Sequence, residues 1–329
     1  LPPEADPMDI RYNVIQWVHR STRGWSYGSS IRDPRTEEIL KGHVTLGSLR
    51  VRQDYLIAEG LISPYDETGG VVDQLSEFAL ARIRQLSAHE VGHTLGIAHN
   101  FSSSADGRAS VMDYPHPLVT LDEAGQVVLN EAYEVGIGAW DKRAVIWGYQ
   151  DFPGNESDAA GRATIIAETL ASGLSFVADE HARIGRSVNA GPAHPKGSLW
   201  DNGGDPVSEL NRIMQLRAVV LRNFSERAIQ PGRAMASLED VLVPAFLMHR
   251  YQVQAAATVL GGQSFTYAMR GDGQIPNERV PPGEQRAALS AMLATLEPGA
   301  LNISERVAAL IPPRPPQSGA SRELFPRHT

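Results

Sequence analysis

The chain of 329 residues contains no cysteine. Disulfides and thiolate zinc ligands are therefore excluded, and a metal site would have to use histidine and carboxylate side chains. No apolar run approaches the roughly 18 residues that a membrane-spanning helix requires. Basic residues are also in the minority, 30 against 38 acidic ones, for a net charge of −8. This balance argues against nucleic acid as a partner.

The overall composition, 42% hydrophobic and 21% charged, is that of a soluble globular protein. The length predicts two domains. The sequence PGNES at residues 153–157 is typical of a boundary. We therefore expect one domain over residues 1–152 and a mostly helical second domain over residues 153–329, with a proline-rich surface tail at residues 311–316.

One stretch carries most of the chemical information. The sequence HEVGHTLGIAH at residues 89–99 fits the pattern H-E-x-x-H-x-x-G-x-x-H. Residues four apart on a helix share a face, so His89 and His93 would present two imidazoles to one metal ion. Gly96 can adopt the left-handed conformation that ends a helix, and the turn would bring His99 back as the third ligand. Three such ligands with an open fourth position are typical of a catalytic zinc site.

Glu90 follows the first of these histidines and would reach a water molecule at the metal without being a ligand. In the catalytic interpretation it is the general base, which accepts a proton from that water and passes it to the leaving amine. In the alternative interpretation it only orients the ligands of a protein without catalytic activity.

A second element lies shortly downstream, where the sequence SVMDY occupies residues 110–114. Met112 would form a Met-turn, a hydrophobic base beneath the three imidazoles. Together the motif and this turn resemble the metzincin clan of zinc peptidases. The residues that carry the resemblance are His89, Glu90, His93, Gly96, His99 and Met112.

The resemblance also suggests a role for Tyr114. In some metzincin branches, such as astacins and serralysins, a tyrosine two residues after the methionine binds zinc or stabilises the oxyanion. Tyr114 matches that spacing. The alternative is a packed aromatic side chain whose hydroxyl group bonds to the backbone. His116, nearby, is not expected to be a ligand.

Along its whole length the chain resembles a bacterial family called Met-zincin, found within long extracytoplasmic proteins. Residues 12–19, 89–100, 198–206 and 249–255 carry this closer resemblance. It implies Zn²⁺ as the cofactor, a peptide or protein substrate, and a periplasmic or secreted location. Asn100 differs from the residues typical of the best-known metzincin branches at that position, so the chain is not assigned to any of them.

The fold that this resemblance implies is α+β and metzincin-like: a small twisted mixed sheet, a zinc-binding helix, a Met-turn and a helical C-terminal region. Metzincins normally begin with a strand and a long helix that we do not find, so we expect a fragment that lacks them. If residues 42–49 form the strand at the edge of the cleft, they would pair with an extended peptide. An ordinary edge strand is the alternative.

Hydrophobic periodicity predicts the individual elements. Strands are expected at residues 12–19, 26–32, 38–40 and 42–51, and helices at residues 71–98, 131–149, 159–171, 206–228, 238–260 and 282–296. The helix at 131–149 is expected to pack under the site. Residues 198–205 lack the calcium-loop pattern, and Asp205 before Pro206 indicates a helix cap instead.

The sequence therefore favours a zinc endopeptidase that hydrolyses peptide bonds by a metal-activated water. Three alternatives stay open: a non-catalytic zinc module that holds a peptide or partner, a metallohydrolase of a non-peptide amide, and a degenerate scaffold. The oligomeric state is not indicated by the sequence.

Overall fold

The computed structural model describes residues 1–20, 24–67, 73–152, 157–182 and 194–316. The protein is α+β, with a small mixed sheet and a predominance of helix. The strands are β1 (Val14–Val18), β2 (Tyr27–Arg32), β3 (Ile39–Gly47), β4 (Thr120–Leu121), β5 (Val127–Val128), β6 (Gln263–Phe265) and β7 (Asn277–Arg279). The α-helices are α1 (Leu49–Ile62), α2 (Asp73–Thr94), α3 (Ala139–Tyr149), α4 (Asp158–Ala171), α5 (Asp179–Ala182), α6 (Pro206–Asn223), α7 (Leu238–Phe246), α8 (Arg250–Ala257), α9 (Pro282–Ala294), α10 (Pro298–Leu301) and α11 (Glu305–Ala308).

The three-stranded sheet has the order β1-β3-β2, with β3 parallel to β1 and antiparallel to β2. Strands at these three positions were predicted. The expectation that residues 42–49 form an edge strand is wrong, because β3 pairs on both of its sides. It also ends at Gly47 instead of residue 51, since α1 begins at Leu49. Within the described residues, β2 has a strand partner on one side only.

Helix α2 carries the histidine motif and packs against this sheet. Its buried face includes Leu75, Phe78 and Leu86, at the spacing expected of an amphipathic helix. Val44 of β3 belongs to the same hydrophobic cluster as Leu86. The helix ends at Thr94, four residues earlier than predicted, because the chain turns there.

Helix α1 was not predicted. Its buried residues include Asp54 and Gly60, which interrupt the apolar pattern that indicates a helix. Asp54 is neutralised by Arg50, whose Nη2 lies 2.7 Å from its Oδ1. Gly60 permits close packing on α7, since a Cβ atom there would lie 2.1 Å from the carbonyl oxygen of Val241. Contacts with other helices, and not the local sequence pattern, therefore determine that this segment is helical.

The helix predicted over residues 131–149 is present only as α3, and residues 131–138 are irregular. Gly136 has a positive φ of 84°. Gly138 touches the backbone of a neighbouring loop, where a Cβ atom would lie 1.9 Å from the carbonyl oxygen of Ala109. These two backbone requirements exclude a continuous helix.

The C-terminal half is helical, as predicted. The segment expected as one helix over residues 238–260 consists of α7 and α8, and Pro244, which cannot donate a backbone hydrogen bond, precedes the break. A hydrophobic core cluster combines Phe78 of α2 with Leu216 of α6 and Met248. The division into two domains stays a prediction, and residues 153–156 of its expected boundary lie outside the described residues.

Two smaller predictions concern helix ends and the tail. Asp205 caps α6 as expected, since its carboxylate accepts hydrogen bonds from the amides of Val207 and Ser208. In the proline-rich tail, Arg314 forms ion pairs with Glu239 and Asp240 of α7. In the described parts of the chain, no helix is both long and apolar enough to cross a membrane.

Candidate metal centre and its cavity

The structure brings the three motif histidines to one point. Nε2 of His93 lies 3.1 Å from Nε2 of His89 and 3.2 Å from Nε2 of His99. Three nitrogen ligands of a tetrahedral zinc ion, each about 2.0–2.1 Å from the metal, would be about 3.3 Å apart. The spacing and the chemistry of the donors therefore fit zinc. Among the described residues, these three histidines are the group of side chains whose ligand atoms lie close enough together to hold a metal ion.

The outer ring nitrogens of the two helical histidines are held by backbone carbonyl groups. Nδ1 of His89 lies 2.7 Å from the oxygen of Val111, and Nδ1 of His93 lies 2.9 Å from the oxygen of Ile97. Since a carbonyl group only accepts, each Nδ1 carries the proton and each Nε2 presents its lone pair. Burial also lowers the pKa of His89 to about 3 and lowers that of His93. Both rings are therefore neutral at pH 7 and available as ligands.

His99 is held differently, by a carboxylate from the C-terminal part of the chain. Its Nδ1 lies 2.7 Å from Oδ2 of Asp179, at the start of α5. Such a carboxylate orients a ligating imidazole and increases its basicity. Sequence reasoning missed Asp179, which lies 80 residues away from its partner.

The turn at the end of α2 has the geometry that the sequence predicts. Gly96 has a φ of 81°, in the left-handed region that glycine adopts without strain. The amide of Ile97 donates to the carbonyl oxygen of Gly92, which closes the helix end. This reversal directs the chain back so that His99 reaches the other two imidazoles.

Met112 packs against Gly92, which lies between the first two histidines of the motif. It is fully buried, and a Cβ atom at Gly92 would lie 2.3 Å from its sulfur atom. The turn around it is held by Asp141 of α3, which accepts from the hydroxyl group of Ser110 at 2.5 Å and from the amide of Val111 at 2.8 Å. The expected packing of this helix near the site is thus present, through a residue that the sequence did not single out.

Glu90 is 4% exposed and lines a cavity beside the histidines. Burial raises the pKa of its carboxyl group to about 7, and the backbone amide of Gly28 in β2 opposes part of this shift. Strand and helix are in direct contact here, since a Cβ atom at Gly28 would lie 1.9 Å from the carbonyl oxygen of Glu90. The edge strand beside the candidate site is therefore β2.

Tyr114 lies next to the imidazoles. Its ring centroid is 4.7 Å from that of His99 and 5.5 Å from that of His89, and it stacks on Trp200 at 5.0 Å. The ring also packs beside Phe101 and other buried residues. This position is compatible with both interpretations of Tyr114, and its role at the metal stays a prediction.

The cavity has a volume of about 790 Å³. Its wall includes Glu90, Tyr114, Trp200 and Tyr251, so residues from both halves of the chain form it. His116 lies in this wall and is not part of the histidine group. Burial lowers the pKa of His116 to about 4, which keeps its ring neutral.

Asn100 has a structural function at the position where it departs from the best-known metzincin branches. Its Oδ1 accepts hydrogen bonds from the amides of Ser102 and Val177, and its Nδ2 donates to the carbonyl oxygen of Ser175. These bonds attach the segment before Asp179 to the end of the histidine motif. No local sequence signal indicates such a contact.

Comparison with known proteins gives one match. The Met-zincin family profile matches residues 72–325, which include the histidine motif, the Met-turn and the helical C-terminal region. No curated protein and no solved structure is significantly similar to the chain. The family implies zinc, in agreement with the three-histidine group. From the extent of the match, the chain belongs to the Met-zincin family.

Proposed function

We propose that the protein is a zinc-dependent endopeptidase in which Glu90 is the general base. The observation that carries this proposal is the convergence of three Nε2 atoms beside a buried carboxylate that lines a cavity. When bound, zinc supplies Lewis acidity, which polarises a carbonyl group and makes water a better nucleophile at neutral pH. His89, His93 and His99 are the proposed ligands.

The chain's own residues would then move the protons and hold the substrate. The carboxylate of Glu90 accepts a proton from the attacking water and donates it to the amine of the leaving peptide. The amide of Gly28 keeps this carboxylate oriented. In this proposal the phenol of Tyr114 donates a hydrogen bond to the developing oxyanion, which the 4.7 Å between the ring centroids of Tyr114 and His99 supports.

The position of β2 supports a peptide substrate over a non-peptide amide. This strand contacts α2 at Glu90 and, within the described residues, has no strand partner on its second side. An extended peptide that adds to such an edge gains backbone hydrogen bonds and lies across the site. We therefore transfer to β2 the substrate-binding role that the sequence suggested for residues 42–49. An extracytoplasmic location is part of this proposal and is supported by family resemblance.

The experiment compares zinc-loaded wild type with Glu90→Ala on a mixed peptide library, with products identified by mass spectrometry. Glu77→Ala, an exposed carboxylate on the same helix, is the matched control. We expect cleavage by the wild type and by Glu77→Ala. Glu90→Ala should still bind zinc and lose at least about 100-fold in rate, since general base catalysis contributes that much. Equal rates in Glu90→Ala would overturn the proposal, and zinc binding without turnover in the wild type would favour the non-catalytic module.

A further inference from the structure

The cavity beside Glu90 contains a buried guanidinium group that forms no direct ion pair with the residues that the structure describes. Arg82 of α2 lines this cavity and is 3% exposed. Its Nε has no hydrogen-bond partner, and its guanidinium forms no ion pair among the described residues. The neighbouring carboxylate, Asp54, is instead paired with Arg50 at 2.7 Å. Asp54 and Glu90 attract this guanidinium at longer range, but no carboxylate of the described residues forms a direct ion pair with it.

This arrangement is costly unless a ligand completes it. Removal of a charge from water is unfavourable when no opposite charge or hydrogen-bond acceptor replaces the water. Burial lowers the pKa of Arg82 to about 10, so the group is still charged at neutral pH. The contact that the described residues do supply is with an aromatic ring, since the guanidinium carbon of Arg82 lies 5.5 Å from the ring centroid of Tyr133.

Arg82 lies on the same face of α2 as the proposed general base. Arg82, Leu86 and Glu90 are four residues apart and all line the cavity. The helical rise places Arg82 about 12 Å along the axis from Glu90. A substrate group that enters the cavity from the proposed cleavage site would therefore approach this guanidinium.

The other charged side chains of the wall add to the positive character of the cavity. Arg250 also lines it, and its guanidinium lies 4.5 Å from the ring centroid of Tyr251. Asp240, the acidic residue of the wall besides Glu90, is paired with Arg314 at 2.8 Å. The buried His116 has an Nδ1 without a partner and is a further polar group in the wall.

We propose that this cavity binds a carboxylate group of the substrate through Arg82, and that the protein selects peptides with such a group close to the bond that is cut. The planar guanidinium matches a carboxylate with two parallel hydrogen bonds. The carboxylate can come from an acidic side chain or from a free C-terminus. This inference rests on the proposed function for the nature of the substrate, so its test measures binding separately from hydrolysis.

The test uses peptides of identical length that differ in charge at one position. In the first pair, one peptide has Glu and the other Gln at that position, and both end in an amide. In the second pair, both peptides end at that position, one with a free carboxylate and the other with an amide. Binding to zinc-loaded Glu90→Ala is followed by the fluorescence of the tryptophans, because Trp25 and Trp200 line the cavity. We expect one carboxylate peptide to bind at least about tenfold more tightly than its neutral twin, the effect of one charged hydrogen bond. The pair that discriminates identifies the source of the carboxylate.

Three further variants in the same background assign the effect to Arg82. Arg82→Met should abolish the discrimination without lowering the thermal unfolding midpoint, because it removes an unpaired buried charge. Arg82→Lys should retain part of it, and Arg84→Met, which alters an exposed cation of the same helix, should retain all of it.

The proposal is overturned if, within each pair, the carboxylate peptide and its neutral twin bind with equal affinity. It is also overturned if neither carboxylate peptide binds, or if Arg82→Met still prefers the carboxylate peptide. Should Arg82→Met fail to fold, the affinities of the peptide pairs for the Glu90→Ala protein still test the proposal. Discrimination in a protein that cleaves no peptide would contradict the proposed endopeptidase activity and leave the role of Arg82 intact.

Discussion

The carboxylate of Asp179 lies 2.7 Å from Nδ1 of His99, across 80 residues of sequence. The third proposed ligand is thus oriented by a residue that lies outside the motif and beyond the expected domain boundary. Asn100, which bonds to the backbone at Ser175 and Val177, holds the segment that carries Asp179. The C-terminal part of the chain therefore contributes to the candidate metal centre.

Asp179→Ala should weaken zinc binding by about 10- to 100-fold, because the variant removes the partner that fixes the His99 ring. Competition with a chromophoric chelator measures the affinity. Glu180→Ala, an exposed carboxylate at the next position, is the control and should bind zinc as the wild type does. Unchanged affinity in Asp179→Ala would show that this carboxylate does not support the centre.

Gly28→Ala should destabilise the contact between β2 and α2. The added Cβ atom would lie 1.9 Å from the carbonyl oxygen of Glu90, so strand and helix must separate. We expect the free energy of unfolding to fall by about 1–3 kcal/mol, as for other overpacked sites. In the control, Gly47→Ala, the nearest atom lies at an ordinary 4.0 Å. If urea denaturation gives equal values for the two variants, the close approach is not a constraint.

Asp141→Ala should loosen the Met-turn. The variant leaves the hydroxyl of Ser110 and the amides of Val111 and Gly138 without their acceptor. Because unsatisfied buried donors are costly, we expect a loss of about 2–4 kcal/mol in the free energy of unfolding. Asp158→Ala, which breaks an exposed ion pair with Arg162, should cost less than about 1 kcal/mol. Similar losses in the two variants would contradict this account of the turn.

Asp113 should make stability decrease as the pH rises. Burial raises the pKa of its carboxyl group from 3.8 to about 7, and the pKa of the neighbouring buried Asp201 is also raised. Because the folded pKa lies above the unfolded one, the stabilisation is complete below about pH 4 and is lost as the pH rises through 7. Relative to wild type, Asp113→Asn should therefore gain stability between pH 5 and pH 8.

Urea unfolding of the wild type and Asp113→Asn at these two pH values measures that difference. The comparison cancels the contribution of the histidines, which both proteins share. A difference in stability that is the same at both pH values would show that Asp113 does not titrate in this range.

The histidine group could be predicted because its geometry is local. Helical spacing places His89 and His93 on one face, and Gly96 forces the turn that returns His99. Asp179 and Gly28 reach the site only through the tertiary fold, so no pattern along the chain indicates them. Arg82 lies on the buried face of α2, at a position that helical spacing assigns to the core. Only the tertiary structure shows that its guanidinium lines the cavity.

The fold could be predicted where periodicity is regular, as in the strands of the sheet and in most of the C-terminal helices. Helix α1 was missed because its buried face contains Asp54 and Gly60. The helix over residues 131–149 was predicted too long because Gly136 and Gly138 meet backbone requirements that periodicity does not show. In both places contacts between distant segments override the local pattern.

The most direct test of the account is the zinc content of protein purified without chelator, measured by elemental analysis for the wild type and His93→Ala. The three converging Nε2 atoms predict one zinc ion per wild-type chain and its loss in the variant. The exposed His19 lies outside the histidine group, so His19→Ala should keep its zinc. A folded wild-type protein that takes up no zinc, even after metal is added, would contradict the account.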